Sequence, residues 1–238
     1  MPIVAESVIQ RMFLPQIAVL RQTIFERVLP AFDQIEVEAN QVEAKALDRL
    51  EENFNEDSDP ADIAEAAFEA GLEHFELMAA TRQTIMNAFV VAISHSFEQQ
   101  RHFLTHHTII DSEPSSRKRE LKFVAMLHSS GIDYEQFSDR PRLEEMDLVA
   151  NVAKHAEGQS AERLRAVRPD LFVHPSIRDI SALSSATHPV HTPLMGEAFF
   201  VQPEDLRTYL DVIEAFWQFV MNHLDPPAVT FEQPNQRS

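Results

Sequence analysis

The sequence contains no cysteine, and only 4 of its 238 residues are glycine and 2 are tyrosine. Without cysteine, disulfide bonds and thiol chemistry are excluded. The scarcity of glycine argues against a phosphate-binding loop built from backbone amides, and the motifs Gly-x-Ser-x-Gly and His-Glu-x-x-His are absent. No apolar run approaches the roughly 20 residues that a membrane-spanning helix needs. Residues 1–16 also lack the basic start and long apolar run of a signal peptide, so we expect a soluble, cytoplasmic protein.

The charge is strongly negative and unevenly distributed. The formal net charge is -18, with 6 Lys/Arg against 18 Asp/Glu in residues 1–100 and 3 against 9 in residues 169–238. Residues 101–168 carry 11 of each and are neutral. An acidic chain argues against non-specific binding to nucleic acid, which is driven by neutralisation of phosphates. The neutral middle is where a polyanion is expected to dock, whereas the acidic flanks are either solvated surfaces or surfaces for a basic partner.

The spacing of apolar residues predicts an all-α helical bundle. Apolar side chains recur every three or four residues over most of the chain. The first predicted helix is expected to kink or break near Pro15 and to break again at Pro30. The Pro-rich residues 173–196 are expected to form a long surface loop, and residues 197–201 a short strand. Helices are predicted over residues 4–29, 33–53, 61–107, 115–129, 141–156, 160–169 and 205–224.

The third predicted helix is unusually long. No proline and a single glycine interrupt residues 61–107. The stretch is therefore either one helix of about 45 residues, against an average of about 11–12, or two helices joined near residues 79–84. Residues 85–93 are apolar nearly all round the helix, which predicts a central place in the bundle.

A row of polar residues indicates a functional site near the end of the fifth predicted helix. Asp147, Asn151 and His155 are spaced four apart, so they lie on one face of that helix. On such a face His155 would act as a general acid and base, with Asn151 orienting the ring or holding a substrate oxygen. Lys154 points about 100° away and is a flexible cation within reach of a phosphate. The alternative is that Asn151 and His155 only cap or bridge to the turn at Gly158.

The segment at residues 150–155, Ala-Asn-Val-Ala-Lys-His, resembles the Arg-Asn-x-x-x-His motif of the HEPN superfamily. The resemblance covers residues 60–170 and implies a single helical domain over residues 1–238, with the N- and C-terminal helices packed on that core. It also implies a homodimer in which an arginine and a histidine from two protomers form a ribonuclease site that needs no metal or other cofactor. The chain departs from the motif at Ala150, which stands at the family's arginine position. The positive charge would then come from Lys154 or from an arginine elsewhere, or the site would be inert.

A second His-rich segment lies at the end of the long predicted helix. Arg101 and His106 satisfy the family's looser spacing of Arg and His, and Arg101 would supply the missing arginine if it packs beside His155. Glu98, His102 and His106 recur every four residues, a spacing that also suits a divalent metal such as zinc. The remaining alternative is a solvated helix end with histidines favoured near its C-terminus.

Two functional hypotheses follow. The first, implied by the resemblance, is an RNA-binding protein or endoribonuclease of a bacterial toxin or phage-defence type, with RNA as substrate and an antitoxin or another protein as partner. Its candidate catalytic residues are His155, Asn151, Lys154, Arg101 and His106. The second is a non-catalytic, dimeric interaction or scaffold protein, in which the acidic flanks bind a basic partner.

Overall fold

Helices and helical turns make up all of the regular structure described for this chain. A computed structural model describes residues 2–52, 59–108, 116–179, 189–196 and 198–224, and no strand occurs among them. The all-α prediction is therefore confirmed. Among these residues, no helix combines the length and apolar character needed to cross a membrane. The α-helices are Pro2–Val8 (α1), Leu14–Gln22 (α2), Ile35–Glu51 (α3), Pro60–Thr108 (α4), Ser116–Ser129 (α5), Arg140–His155 (α6), Gln159–Val167 (α7) and Pro203–His223 (α8).

The N-terminal segment stays helical over residues 2–32, and Pro15 does not break it. A π-helical turn, Ile9–Phe13, precedes Pro15, and a second, Thr23–Val28, leads into a 3-10 turn that contains Pro30. Proline lacks an N–H group and its ring crowds the preceding turn. A wider π-helical turn accommodates such a defect without ending the helix. A break at Pro15 is therefore wrong, whereas the break predicted at Pro30 is confirmed, because the helical segment ends at Phe32 and α3 begins at Ile35.

The long predicted helix is a single α-helix of 49 residues, α4. The side chain of Asp59 accepts a 2.8 Å hydrogen bond from the backbone N–H of Ala61, which caps the first turn. Pro60 takes the first helical position, where its missing N–H has no cost. Of the two alternatives for this stretch, the one-helix interpretation is confirmed.

The hydrophobic core is built by the second half of α4, by α5 to α8 and by the N-terminal helical segment. Trp217 of α8 is fully buried against Phe13, Phe97 and Phe123, with ring centroids 4.8, 5.8 and 6.3 Å away. Its indole N–H donates a 2.7 Å hydrogen bond to the side-chain oxygen of Gln100. The polar end of this large side chain is thereby satisfied inside the core.

The helix α3 and the first part of α4 form an arm outside that core. No described residue between Leu29 and Met86 belongs to the core cluster. The two arm helices approach closely at Gly71, where an added Cβ would lie 2.9 Å from the Cβ of Glu43. Only glycine allows that approach without a shift of the neighbouring helix. We call residues 35–52 and 59–79 the arm.

The predicted strand at residues 197–201 is wrong, although its first residue lies outside the described ranges. Residues 198–201 have no neighbouring strand, and side chains of α4 bind their backbone groups instead. Gln83 donates a 2.9 Å hydrogen bond to the Val201 carbonyl. Asn87 donates a 2.9 Å bond to the Phe199 carbonyl and accepts a 3.3 Å bond from the Val201 N–H. The Phe200 N–H donates a 2.8 Å bond to the Leu171 carbonyl, so α4 and the turn after α7 together hold the segment without a neighbouring strand.

The remaining connections are short. The long predicted loop contains the 3-10 turns Pro175–Ile177 and Pro193–Met195, and two further 3-10 turns are Tyr134–Gln136 and Pro169–Phe172. The sequence also predicts a turn at residues 55–60, a loop at residues 111–116 and a loose tail after residue 227. All or most of each lies outside the described residues, as does the middle of the loop at residues 173–196.

Candidate functional site

The end of α6 places Asn151, Lys154 and His155 together at the surface. Asn151 is half-buried, and Lys154 and His155 are exposed. Asp147, two turns before His155, accepts a 2.9 Å hydrogen bond from the hydroxyl of Ser94 on α4. The side chains of Asn151 and His155 have no hydrogen-bond partner among the described residues. Their alternative role as caps of the following turn therefore has no supporting contact there.

Position 150 points into the core. Ala150 is 1% exposed and shares the buried face of α6 with Met146, Val149 and Ala153. An arginine at this position would bring a guanidinium group into apolar surroundings, which costs several kcal/mol when the charge is unpaired. The departure from the HEPN motif at Ala150 thus agrees with the packing of α6. In the ribonuclease hypothesis, the positive charge would have to come from another position.

The helices α4 and α6 run antiparallel. The hydrogen bond between Ser94 and Asp147 joins the two helices. Beyond the end of α6, the Glu157 N–H donates to the Val190 carbonyl over 2.9 Å. Three residues after Val190, the carbonyl of Pro193 accepts a 2.6 Å bond from Asn87. The end of α6 therefore lies beside the part of α4 that precedes Ser94.

The antiparallel packing of α4 and α6 separates Arg101 from His155 within one copy of the chain. Arg101 comes seven residues after Ser94, and His155 comes eight residues after Asp147, toward the other end of the contact. At a rise of about 1.5 Å per residue, their Cα atoms lie about 20 Å apart along the helix axes. One copy does not bring both side chains to a single phosphate. The guanidinium of Arg101 lies instead over the ring of Phe97, 4.7 Å from its centroid.

The His-rich ridge lies at the same end of α4 as Arg101. His102 and His106 share a face, with ring centroids 6.0 Å apart, and His106 is still farther from the end of α6 than Arg101. Glu98 lies beside His95, with Oε2 3.4 Å from Nδ1. Among the described residues, no three His, Asp or Glu side chains come close enough to hold a metal ion. The metal interpretation therefore lacks a third ligand in that part of the chain.

The turn after α6 is held by Glu157. Its carboxylate accepts hydrogen bonds of 2.5 and 2.7 Å from Arg165 and one of 2.9 Å from the Val190 N–H. The hydrogen bonding with Arg165 lowers the pKa of Glu157 to about 2. Ala156, the residue before it, has a φ of 61°, a left-handed conformation that a residue with a side chain seldom adopts. The surface beside His155 is thus fixed by specific contacts.

A partly buried ion network joins α6 and α8 to the residues that follow α7, and the sequence did not indicate it. Arg168 donates hydrogen bonds to the carboxylates of Glu145 (2.5 Å), Asp170 (2.7 and 2.9 Å) and Asp205 (2.8 Å). The hydroxyl of Tyr209 donates a further 3.0 Å bond to Glu145. The bond to Asp170 raises the pKa of Arg168, and burial raises that of Tyr209. Charged residues occur throughout this region of the sequence, so nothing local marks Glu145 and Asp205 as buried.

The arm carries an exposed apolar stripe. Phe68, Leu72 and Phe75 are 56%, 44% and 38% exposed and lie on one face of α4. We call these three residues the arm stripe. Each is followed directly by an exposed glutamate, so a row of carboxylates runs about 100° around the helix from the stripe. The row consists of Glu69, Glu73 and Glu76.

The arm also holds more than half of the net negative charge. Its residues include 12 Asp/Glu and 2 Lys/Arg, a net charge of -10 out of -18. Glu36 of α3 lines the same surface cleft as Phe75, so a carboxylate also borders the stripe on the side of α3. The helical spacing of Phe68, Leu72 and Phe75 was visible in the sequence. Their exposure was not visible, because it depends on what packs against the arm.

No family model matches this chain, and neither does any curated protein or solved structure with which it was compared.

Proposed function

We propose that this protein is a non-catalytic interaction protein whose acidic arm binds a basic partner protein. The observation that carries the proposal is the arm stripe, an exposed apolar face bordered by glutamates and separate from the core. Contiguous apolar surface rimmed by polar residues is typical of protein interaction sites. The charge of -10 attracts a basic partner and repels an acidic one.

The partner that fits this surface is an amphipathic helix with basic flanks. The three stripe residues occupy positions i, i+4 and i+7 of one helix, which is the pattern that a second helix can cover with its own apolar face. Basic residues beside that face would meet the glutamate row. A second copy of the arm fits less well, because it would bring another charge of -10 to the same surface.

We expect Leu72→Ser to weaken binding of a basic amphipathic peptide by about tenfold. The peptide is a designed helix with leucines on one face and arginines on the others. Complete burial of a leucine side chain contributes about 1.5–3 kcal/mol. Because part of the Leu72 side chain is already covered in the free protein, we expect a loss of binding free energy near the lower bound, which corresponds to about tenfold in affinity. Isothermal titration calorimetry on the full-length wild-type and variant proteins measures the difference.

Two controls distinguish binding through the arm stripe from binding through charge alone. Leu121→Ser removes a leucine of α5 outside the arm that is more exposed than Leu72, 66% against 44%, and should leave the affinity unchanged. A peptide of the same composition, scrambled so that it has no apolar face, should bind wild-type protein at least tenfold more weakly. Equal binding of both peptides, or an unchanged affinity in Leu72→Ser, would contradict the proposal.

RNA cleavage at the end of α6 is a second candidate function. It is favoured by one observation, the exposed imidazole of His155 beside Asn151 and Lys154 without a competing hydrogen-bond partner among the described residues. In this hypothesis His155 transfers protons, Asn151 positions the substrate and Lys154 stabilises negative charge on the phosphate. Because Arg101 is remote from His155 in the same copy, Arg101 could take part only from a second copy in a homodimer.

Incubation of labelled tRNA and mRNA with the purified protein tests this candidate. If the protein cleaves RNA at α6, His155→Ala is expected to lower the rate about a hundredfold, the usual contribution of a general acid or base. His128→Ala removes an exposed histidine at the end of α5 and serves as the matched control. Cleavage by His155→Ala at the wild-type rate would remove this residue from the mechanism.

A further inference from the structure

We infer that a cleft at the base of the arm binds an arginine or lysine side chain of the partner. The inference rests on the proposed function and adds the place where the partner is anchored. The cleft has a volume of about 670 Å³ and is open to solvent. It lies where the arm meets residues 174–175, Gly196, Phe200 and Gln202, and junctions of this kind are common ligand sites.

Aromatic rings form part of the cleft wall. Phe32 comes from the turn before α3, Phe75 from α4 and Phe200 from the extended segment before α8. Phe75 is also the last residue of the arm stripe, so the stripe and the cleft are one continuous surface. Apolar walls accept the methylene stem of a long basic side chain, and aromatic faces attract its charge.

Carboxylates give the cleft its charge preference. Asp33, Glu36 and Glu76 line it, and none of them forms an ion pair with a described residue. Arg82 and His174 line it as well, so the formal charge of the lining is -2 with the histidine neutral. A basic side chain placed here gains carboxylate partners, whereas an anionic ligand is disfavoured. A bare metal ion fits poorly, because no three suitable ligands converge among the described residues.

The far wall of the cleft is preformed, because specific contacts fix its backbone. An added Cβ at Gly196 would lie 2.5 Å from the carbonyl oxygen of Ala80, and its φ of 74° is left-handed, so this position requires glycine. Asn87 and Gln83 hold the backbone at Phe199 and Val201, on either side of Phe200. A site that exists before binding loses less conformational freedom when its ligand arrives.

The test uses the designed amphipathic peptide and variants in which each arginine in turn is replaced by citrulline, which keeps the shape but removes the charge. Affinities are measured by calorimetry for the wild-type protein and for the double variant Glu36→Gln/Glu76→Gln. We expect one citrulline peptide to bind wild-type protein about tenfold more weakly. In the double variant, the same replacement should change the affinity less than threefold, because its carboxylate partners are gone.

The matched control is Glu65→Gln/Glu69→Gln, which removes the same charge from the arm outside the cleft lining. In this control the tenfold effect of that citrulline should persist. An equal effect in both double variants would overturn the cleft proposal but leave the proposed function standing, provided that Leu72→Ser still weakens binding. Failure of the peptide to bind wild-type protein would overturn both.

Discussion

Replacement of Arg168 by alanine is expected to lower the free energy of unfolding by about 3–5 kcal/mol. Glu145 and Asp205 are both buried, and Arg168 binds each of them within 2.8 Å. Without the guanidinium, Asp205 faces no other described cation, although Arg142 remains 2.6 Å from Glu145. An uncompensated carboxylate in a region of low dielectric is strongly destabilising, because the charge has lost water and gains no partner.

Urea denaturation followed by circular dichroism measures this loss, with an unchanged slope showing that the variant unfolds from the same native state. Arg140→Ala is the matched control, since the partners of Arg140 are the exposed Glu135 and Glu144. Surface pairs of this kind contribute at most about 1 kcal/mol. Arg168→Lys should fall between the two, because lysine keeps the charge but loses the forked geometry. A similar decrease in the free energy of unfolding for Arg168→Ala and Arg140→Ala would show that the ion network contributes no more than a surface ion pair.

The ion network also stabilises one wall of the cleft. Asp205, which Arg168 binds, accepts a 2.8 Å hydrogen bond from the Gln202 N–H and completes a capping box at the start of α8. Gln202 lines the cleft. The ion network therefore links the packing of α6 against α8 to one wall of the cleft.

Replacement of Asn87 by alanine is expected to cost about 3 kcal/mol. Asn87 is fully buried, and its side chain donates to the carbonyls of Pro193 and Phe199 and accepts from the N–H of Val201. Alanine would leave these three backbone groups unpaired, and each unpaired group costs about 1–3 kcal/mol when buried. Three such groups together would cost about 3–9 kcal/mol. We expect a value near the lower end of this range, because water that enters the space can pair with some of the groups.

The loss is measured by urea denaturation, and amide hydrogen exchange of residues 198–201 reports whether the segment detaches from α4. Asn151→Ala is the matched control: it removes the same side chain from α6, where the amide has no hydrogen-bond partner among the described residues. We expect a change of at most about 0.5 kcal/mol there. If Asn87→Ala were no more destabilising than Asn151→Ala, the side chain of Asn87 would not be holding this segment.

The helices were predictable from local patterns. The apolar spacing that predicted residues 33–53, 141–156 and 205–224 agrees with α3, α6 and α8 to within two residues at each end. Helix periodicity is a property of neighbouring residues, and proline, glycine and capping residues mark where it stops. The placement of Asn151 and His155 on one accessible face of α6 follows from the same periodicity. The length of α4 was left open because no local residue decides whether a pattern without a break is one helix or two.

The failures share a different cause. The Ala-Phe-Phe-Val run at residues 198–201 looks like a strand, but a strand also needs a neighbour, and here Gln83 and Asn87 of α4 take that role. Glu145 and Arg168 look like ordinary surface charges, yet they meet across 23 residues of chain. Each of these errors concerns a partner that lies far away in the sequence.

Local sequence was thus sufficient for the helices and for the faces that their side chains share. The three-dimensional arrangement was needed for the functional conclusions, because they depend on contacts between distant residues. The antiparallel packing of α4 and α6 places Arg101 far from His155, so one copy of the chain does not combine the two residues in a ribonuclease site. The separation of the arm from the core left the stripe exposed, and the convergence of the arm with residues 174–175, Gly196, Phe200 and Gln202 formed the cleft. A stripe of apolar residues has the same spacing whether it is buried or exposed, and only its neighbours in space distinguish a core face from a binding surface.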